Sequence, residues 1–426
     1  MEKQYLLEEI NGAKVFLYPI KEVKTVLIKV LIKAGSWYED NQWGKLHLLE
    51  HLIHHGSKNF PSRKELEIYK ENFGLSQNAW TGGESMGIWV EAPDECVNEG
   101  IFLANELLFN SNLNPERIEK EIKVISQEFN GKWSNPYNRF DKNMNKMIYG
   151  DSIYIRDGMG DPKNLKGVDS ETLQKLYKKF FQPQNMIISI VGNFNTGKIK
   201  ESLSKMLNDV KNISAEKTIE PKPEIIKQTQ NYLWHKEEID QVNINLLFRT
   251  KGKNELSIDD RVKYRVGSYI LGNSSRSLLY KKLREENALV YSVNSSTMLL
   301  PTIGMIGVNA ATSLENALNA SKIMFSVTQS LSKLTISDED FQRAIKFVKY
   351  KTTTSYDSVE GIASDSSNFI FSNGYYLDLD DYAKIIEKTK LKDIQNVYEE
   401  IINKNNLQIG ILSKVDPKIN IEEISS

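Results

Sequence analysis

Apolar and polar positions follow two periods along this chain, one of two residues and one near 3.6, and the same succession of the two occurs twice. Residues 26–32 (VLIKVLI) form a near-continuous apolar run of strand length. Residues 42–55 (QWGKLHLLEHLIHH) then set apolar side chains at 46, 48, 49, 52 and 53, the spacing of a helix with one buried face. Over 77–93 (QNAWTGGESMGIWVEAP) apolar and polar positions alternate, which predicts a strand interrupted by a Gly-Gly turn. A helix is expected over 95–109. The next, over 114–131, opens with Asn114 as N-cap and Pro115 in the first helical position. Residues 185–192 (NMIISIVG) predict a buried closing strand.

The second half repeats this order. Residues 242–248 (VNINLLF) correspond to the first strand, and 262–272 with 275–287 stand where the histidine-bearing helix stood. Residues 290–310 correspond to the Trp80 strand region, 337–351 to the second acidic helix, and 406–413 (NLQIGILS) to the closing strand. The offset is nearly constant at ~220 residues, the mark of a duplicated domain rather than a short-period solenoid. Between the halves, 212–230 is polar, holds Pro221 and Pro223, and reads as a linker. The expectation is an α+β chain of two homologous domains, 1–211 and 231–426, each a sheet with helices packed on it.

Composition narrows the function. Lys and Arg number 55 against 56 Asp and Glu, for a net charge of -1, so there is no basic excess of the kind nucleic-acid binding requires. No apolar run approaches the roughly 20 residues of a membrane-spanning helix. The opening MEKQYLLEEI carries acids where a secretory signal has basic residues, and a single cysteine, Cys96, fits a reducing compartment. A cytoplasmic address is therefore expected, with Cys96 as a small buried hydrophobe rather than a nucleophile.

The histidines are unevenly placed. Of five in the chain, four (His47, His51, His54 and His55) fall in one short segment. On a helix, His47 and His51 stand four apart on one face, so both imidazoles reach one ion, and Glu50 shares that face. Two neutral histidines leave a catalytic Zn²⁺ one protein ligand short, which a carboxylate from elsewhere would supply. Glu50 is then free to take a proton from water activated by the ion. H-x-x-E-H is the inverted form of the H-E-x-x-H zinc motif. His54 falls on the same face one turn further on and His55 points away; both are expected to pack under or border the site. The helix after Pro115 offers Glu116, Glu119, Glu121 and Glu128 as the missing carboxylate; Glu121 and Glu128, seven apart, share a face.

With these blocks, GSWYEDNQWGKLHLLEHLIHHGS above all, the chain resembles the insulinase/pitrilysin family of inverted zinc metallopeptidases. It resembles in particular the single-unit branch of mitochondrial and bacterial processing peptidases, over almost the whole length. The resemblance implies zinc held by His47, His51 and Glu128, Glu50 as general base, and Glu121 as an accessory carboxylate. It also implies that Asn78 and Ala79, in the run NAWT, lie on an edge strand to which peptide adds as a further strand. In LYKKLREENALVYSV it places Arg284 and Tyr291 on substrate carbonyls and the oxyanion. Departures include Ala288 and Val290 before the tyrosine, Gly82-Gly83 before Glu84, and Ser152-Ile153 before Tyr154. Setting one half against the other pairs Glu121 with Ala344 and Glu128 with Lys351, so the first half alone carries the metal set.

The reading is a zinc endopeptidase for peptides, unfolded segments or leader sequences. By resemblance, two such chains close as a clamshell, as a homodimer or with a related subunit. The alternatives are a non-catalytic structural or partner subunit and a metal-binding protein without hydrolysis.

Overall fold

The computed structural model describes residues 5–208, 210, 231–333 and 336–425. The expected linker, 212–230, lies outside the described residues. In the first half β1 (Leu6–Ile10), β2 (Ala13–Pro19) and β3 (Thr25–Ile32) are followed by α1 (Lys45–Ile53) and α2 (Arg63–Asn72). The hairpin β4 (Ser76–Thr81) and β5 (Met86–Pro93) leads to α3 (Val97–Phe109), α4 (Ile118–Ser134), α5 (Pro136–Tyr149) and α6 (Ser170–Phe180). Then come β6 (Met186–Gly192) and α7 (Thr196–Asn208). The second half runs β7 (Tyr232–Lys236), β8 (Val242–Thr250), α8 (Ile258–Gly272) and the short α9 (Leu278–Tyr280), which continues as a wider turn over Lys281–Glu286. It goes on through β9 (Val290–Leu299), β10 (Gly304–Thr312), α10 (Ala317–Ser330), α11 (Asp338–Thr354), α12 (Val359–Asn373), α13 (Leu379–Lys388), α14 (Leu391–Ile401) and β11 (Leu407–Ser413).

The two sheets have one topology. The first is ordered β1-β2-β6-β3-β5-β4 and the second β7-β11-β8-β10-β9, so each strand from β2 on has a counterpart in the same lateral place. In both, the pair formed by the closing strand and the opening one (β6 with β2, β11 with β7) is parallel and every other pair is antiparallel. The duplication read from the apolar pattern is a duplication of fold.

The compact units do not follow the contiguous halves expected at 1–211 and 231–426. Among the described residues, one takes in 5–133, 153–208, 210 and 355–377; the other takes in 134–152, 231–333, 336–354 and 378–425. The exchanged pieces are equivalent: α5, from the first half, belongs to the second unit, and α12, from the second half, belongs to the first.

In the first unit the sheet is buried on both faces. One face packs on α1 and α3 through Val26, Ile28, Val30, Leu48, Leu52 and Leu107. The other carries Phe16, Leu27, Leu31 and Val191 against Ile362, Ala363 and Ile370 of α12. Burial on both faces is why β3 reads as an unbroken apolar run rather than an alternating one. Its one charge, Lys29, donates from Nζ to Ser364 Oγ of α12 at 2.7 Å. Burial lowers the Lys29 pKa, with Glu360 and Asp365 acting against that shift. Ser189 of β6 meets Ser367 of the same helix at 3.1 Å. Cys96 is half-buried beside this core.

Candidate metal centre

Helix α1 begins at Gly44, which has φ 123° and no side chain with which to cap the first turn. The cap comes from Glu39. Its Oε2 accepts the Gly44 N–H at 3.1 Å, and Oε1 accepts those of Lys45 and Leu46 at 2.8 and 3.3 Å. Burial pushes Glu39 up to about 7, against the pull of those N–H groups and of Lys45. The chain leaving the helix is held by another buried carboxylate: Glu106 accepts from Ser57 Oγ at 2.5 Å and from the Asn59 N–H at 2.9 Å.

Between these anchors, His47 and His51 project from α1 towards Glu128 of α4. Glu128 Oε2 lies 3.8 Å from His47 Nε2 and 3.6 Å from His51 Nε2. One ligand atom from each of the three residues lies within 4.8 Å of the other two, the only such gathering of His, Cys, Asp or Glu among the described residues. A tetrahedral ion with bonds of about 2.0–2.1 Å would have neighbouring ligand atoms roughly 3.4 Å apart, so small side-chain adjustments would seat one. The nitrogen, nitrogen, oxygen donor set suits zinc.

The far side of each imidazole is also occupied. His47 Nδ1 lies 3.2 Å from the Met159 carbonyl, and His51 Nδ1 lies 3.2 Å from Glu121 Oε2. Each acceptor favours the tautomer with the proton on Nδ1, which turns the Nε2 lone pair towards Glu128. Burial, with His51 close by, pushes His47 down to about 4, so the ring is neutral near pH 7. Glu121 is buried and shares its Oε1 between Arg117 at 2.8 Å and His55 at 2.9 Å. Burial alone would raise its pKa; Arg117, His55 and His51 together outweigh that and hold it below the ordinary value.

Glu50 faces the same space. Its Oε2 is buried without a hydrogen-bond partner. Burial raises its pKa and Glu128 adds to the rise, while Thr81 and His51 act against it. A buried carboxylate oxygen without a hydrogen bond of its own, beside three side chains that could hold an ion, is chemically able to accept a proton.

Comparison with known proteins settles the family. Residues 15–155 match the family described as Insulinase (Peptidase family M16), and 167–348 match the Peptidase M16 inactive domain. The chain belongs to the insulinase family, M16. It is 22% identical to an uncharacterized zinc protease of Rickettsia felis, over 92% of this chain and 93% of that one. It is 23% identical to a probable mitochondrial-processing peptidase subunit beta of Schizosaccharomyces pombe, over 96% and 90%. The first half of the periplasmic protease PqqL from Escherichia coli has the same fold, with TM-score 0.84 and 14% identity over 99% of this chain and 96% of that one.

The other residues expected of an M16 peptidase fall as follows. Asn78 and Ala79 lie on β4, an outer strand of the first sheet, which among the described residues pairs only with β5. In the second unit, Arg284 Nη1 donates to the Tyr291 carbonyl at 2.8 Å, while the Tyr291 side chain is 60% exposed and unengaged by that bond. Ala344 is buried in α11, and where α11 meets α8, Phe347 stacks on Tyr269 at 4.3 Å between ring centres.

One expectation is corrected. His55, not His54, turns towards the site, because α1 ends at Ile53 and His54 is its C-cap. Extending the helical period through 55 overran that end, which Gly56-Ser57 signals. His54 is held down to about 3, by burial first and then by Arg63 and Lys70. Sequence reasoning also missed Glu39, Arg117, Met159 and Gly160. Only Glu39 left a signal, an acid shortly before a helix whose N-cap is glycine.

Proposed function

We propose that this chain is a zinc endopeptidase of peptides and unfolded or leader segments, with His47, His51 and Glu128 as ligands and Glu50 as general base. The observation that carries the reading is the convergence of three ligand atoms beside the partnerless buried oxygen of Glu50. When bound, zinc would polarise the scissile carbonyl and lower the pKa of water.

The chain's own residues do the rest. Met159 and Glu121 hold the two imidazoles by their Nδ1 protons. Glu50 takes a proton from the attacking water as its oxygen bonds the carbonyl carbon, then delivers that proton to the leaving nitrogen as the C–N bond breaks. The outer edge of β4, with Asn78 and Ala79, supplies main-chain groups for an extended peptide to pair as an added strand, the Ala79 N–H giving up its bond to Asn78 Oδ1 to do so. Arg284 and Tyr291 are the donors proposed for substrate carbonyls and the oxyanion. A peptide's main chain satisfies an edge strand whatever its side chains, which suits a broad range of unfolded substrates.

A second chain, identical or related, is part of the proposal; the Schizosaccharomyces pombe relative is itself named as a subunit. Among the described residues no helix is long and apolar enough to cross a membrane. The cytoplasmic address rests on the single Cys96, and cell fractionation tests it against the periplasm named for PqqL.

The experiment is zinc per chain together with cleavage of a mixed peptide library, with Glu50→Gln as control. Zinc near one per chain, with cleavage lost in the variant, supports the peptidase. Zinc without cleavage turns the search to a partner chain. Absence of zinc after reconstitution sinks the catalytic reading and favours a non-catalytic subunit.

A further inference from the structure

We propose that Glu39 is a positioning residue of the metal centre: it fixes the first turn of α1 so that His47 and His51 meet Glu128. The inference rests on the zinc reading above and concerns a residue outside the ligand and base set.

A helix begins with N–H groups that have no partner within it, and an N-cap side chain usually accepts one of them. At α1 that route is closed. The cap is Gly44, whose positive φ disfavours a side chain and whose Cβ would lie 3.2 Å from Gly160 Cα. Glu39 takes the cap's place from five residues away, and its two oxygens accept the N–H groups of Gly44, Lys45 and Leu46. The last of these immediately precedes His47. Rotation of that turn about the helix axis would sweep both imidazoles away from Glu128, since every side chain on a helix turns with its backbone.

Glu39 is itself held by the piece of chain that orients His47. Arg156 Nη1 donates to the Glu39 carbonyl at 2.7 Å, and its Nη2 donates to Asn41 Oδ1 at 2.8 Å. Ser36 Oγ in turn donates to the Arg156 carbonyl at 2.7 Å. Three residues on, the Met159 carbonyl meets His47 Nδ1. One short strap, 156–159, thus sets the helix through Glu39 and the imidazole through Met159. Groups that hydrogen-bond a ligand, as Met159 does, typically change metal affinity 10- to 100-fold when removed, and Glu39 acts through the helix and strap that hold such a group.

The test compares the full chain with Glu39→Ala, Glu39→Gln and Ile370→Ala, the last a change in the sheet core away from α1. Zn²⁺ affinity is measured by chelator competition, the ligand field from the absorption of the Co²⁺ form, and amide exchange at 44–46 on the metal-free protein. Glu39→Ala is expected to weaken Zn²⁺ binding about 10-fold or more, shift the Co²⁺ bands and speed exchange at those amides. Glu39→Gln keeps only one of the two acceptor oxygens, so a smaller loss of affinity, a smaller band shift and exchange at 44–46 still faster than in the wild type are expected. Ile370→Ala should lower the melting temperature while leaving affinity and spectrum as in the wild type.

Unchanged affinity and spectrum in Glu39→Ala overturn the inference, as does an equal loss in Ile370→Ala. Should Glu39→Ala fail to fold, Glu39→Gln decides: altered Co²⁺ bands together with faster exchange at 44–46 support positioning, and wild-type values in both overturn it. Failure of the zinc reading shows separately, as a wild-type chain that takes up no metal.

Discussion

His47, Glu50 and His51 lie within five consecutive residues, so local helical geometry alone puts them on one face. Each has a distinct surrounding. Glu50 has one buried, unpartnered oxygen, and Glu50→Gln is expected to keep zinc while lowering kcat by about 10²–10⁴-fold, measured on a defined peptide. Glu121 touches His51 at Nδ1 rather than Nε2, which is a supporting rather than a ligating place. Glu121→Ala should therefore weaken zinc about 10–100-fold without abolishing it, whereas Glu128→Ala should abolish stoichiometric binding; zinc analysis after dialysis separates the two.

Glu39 gives the pH dependence of the metal-free chain. Its native pKa, about 7, stands above the ordinary 4.5, so between these values the native state holds more protons than the unfolded one. The stability tied to this group is complete below 4.5 and is lost as pH rises through about 7. Urea midpoints near pH 5 and near pH 7.5 should show that fall in the wild type and a flatter course in Glu39→Gln.

At the scale of elements, the site depends on where one loop crosses α1. Gly160 has φ 72°, and a Cβ there would meet Gly44 Cα at 2.5 Å and the Trp43 carbonyl at 2.6 Å. Gly160→Ala should cost about 1–3 kcal/mol from the backbone alone, read in urea unfolding. It should also weaken zinc, because the displaced loop carries the Met159 carbonyl off His47. The glycine appears in the sequence as one of 24 and gives no sign of this role. By contrast the approach to α4 was legible: Asn114 Oδ1 accepts the Glu116 N–H at 3.0 Å and caps the short 3-10 turn Pro115–Arg117 that runs into α4, where the Asn-Pro pair predicts a helix start. The helical period runs two residues past the end of α1 at Ile53, which misplaces His54 and His55.

For the whole molecule, the exchange of α5 and α12 has a measurable consequence. A fragment of residues 1–208 keeps every strand of the first sheet together with His47, Glu50, His51 and Glu128 but lacks α12. It should expose Phe16, Leu27, Leu31 and Val191 and bind a hydrophobic dye strongly. A peptide of residues 355–377 added in trans should reduce that binding; no reduction would show that α12 is dispensable to the unit. Equivalent exchange in the second unit packs α5 on β11, where a Cβ on Gly410 would strike Met144 Sδ at 2.2 Å.

Contacts between near neighbours repeat at fixed chain spacings, and those were readable in advance: the two-residue and 3.6-residue periods, the duplication at about 220 residues, and the pairing of histidines around Glu50. The apolar run of β3 announced burial on both faces, though not what covers them. Everything that depends on distant parts of the chain meeting was decided by the tertiary structure. The approach of Glu128 to the histidines, the Met159 carbonyl and Glu39 that set α1, the Glu121 contacts to His51 and His55, and the exchange of α5 with α12 all join residues whose separation along the chain leaves no periodic trace. Packing and buried hydrogen bonds choose those partners, because each buried donor, acceptor and apolar face must be satisfied by whatever the fold brings to it.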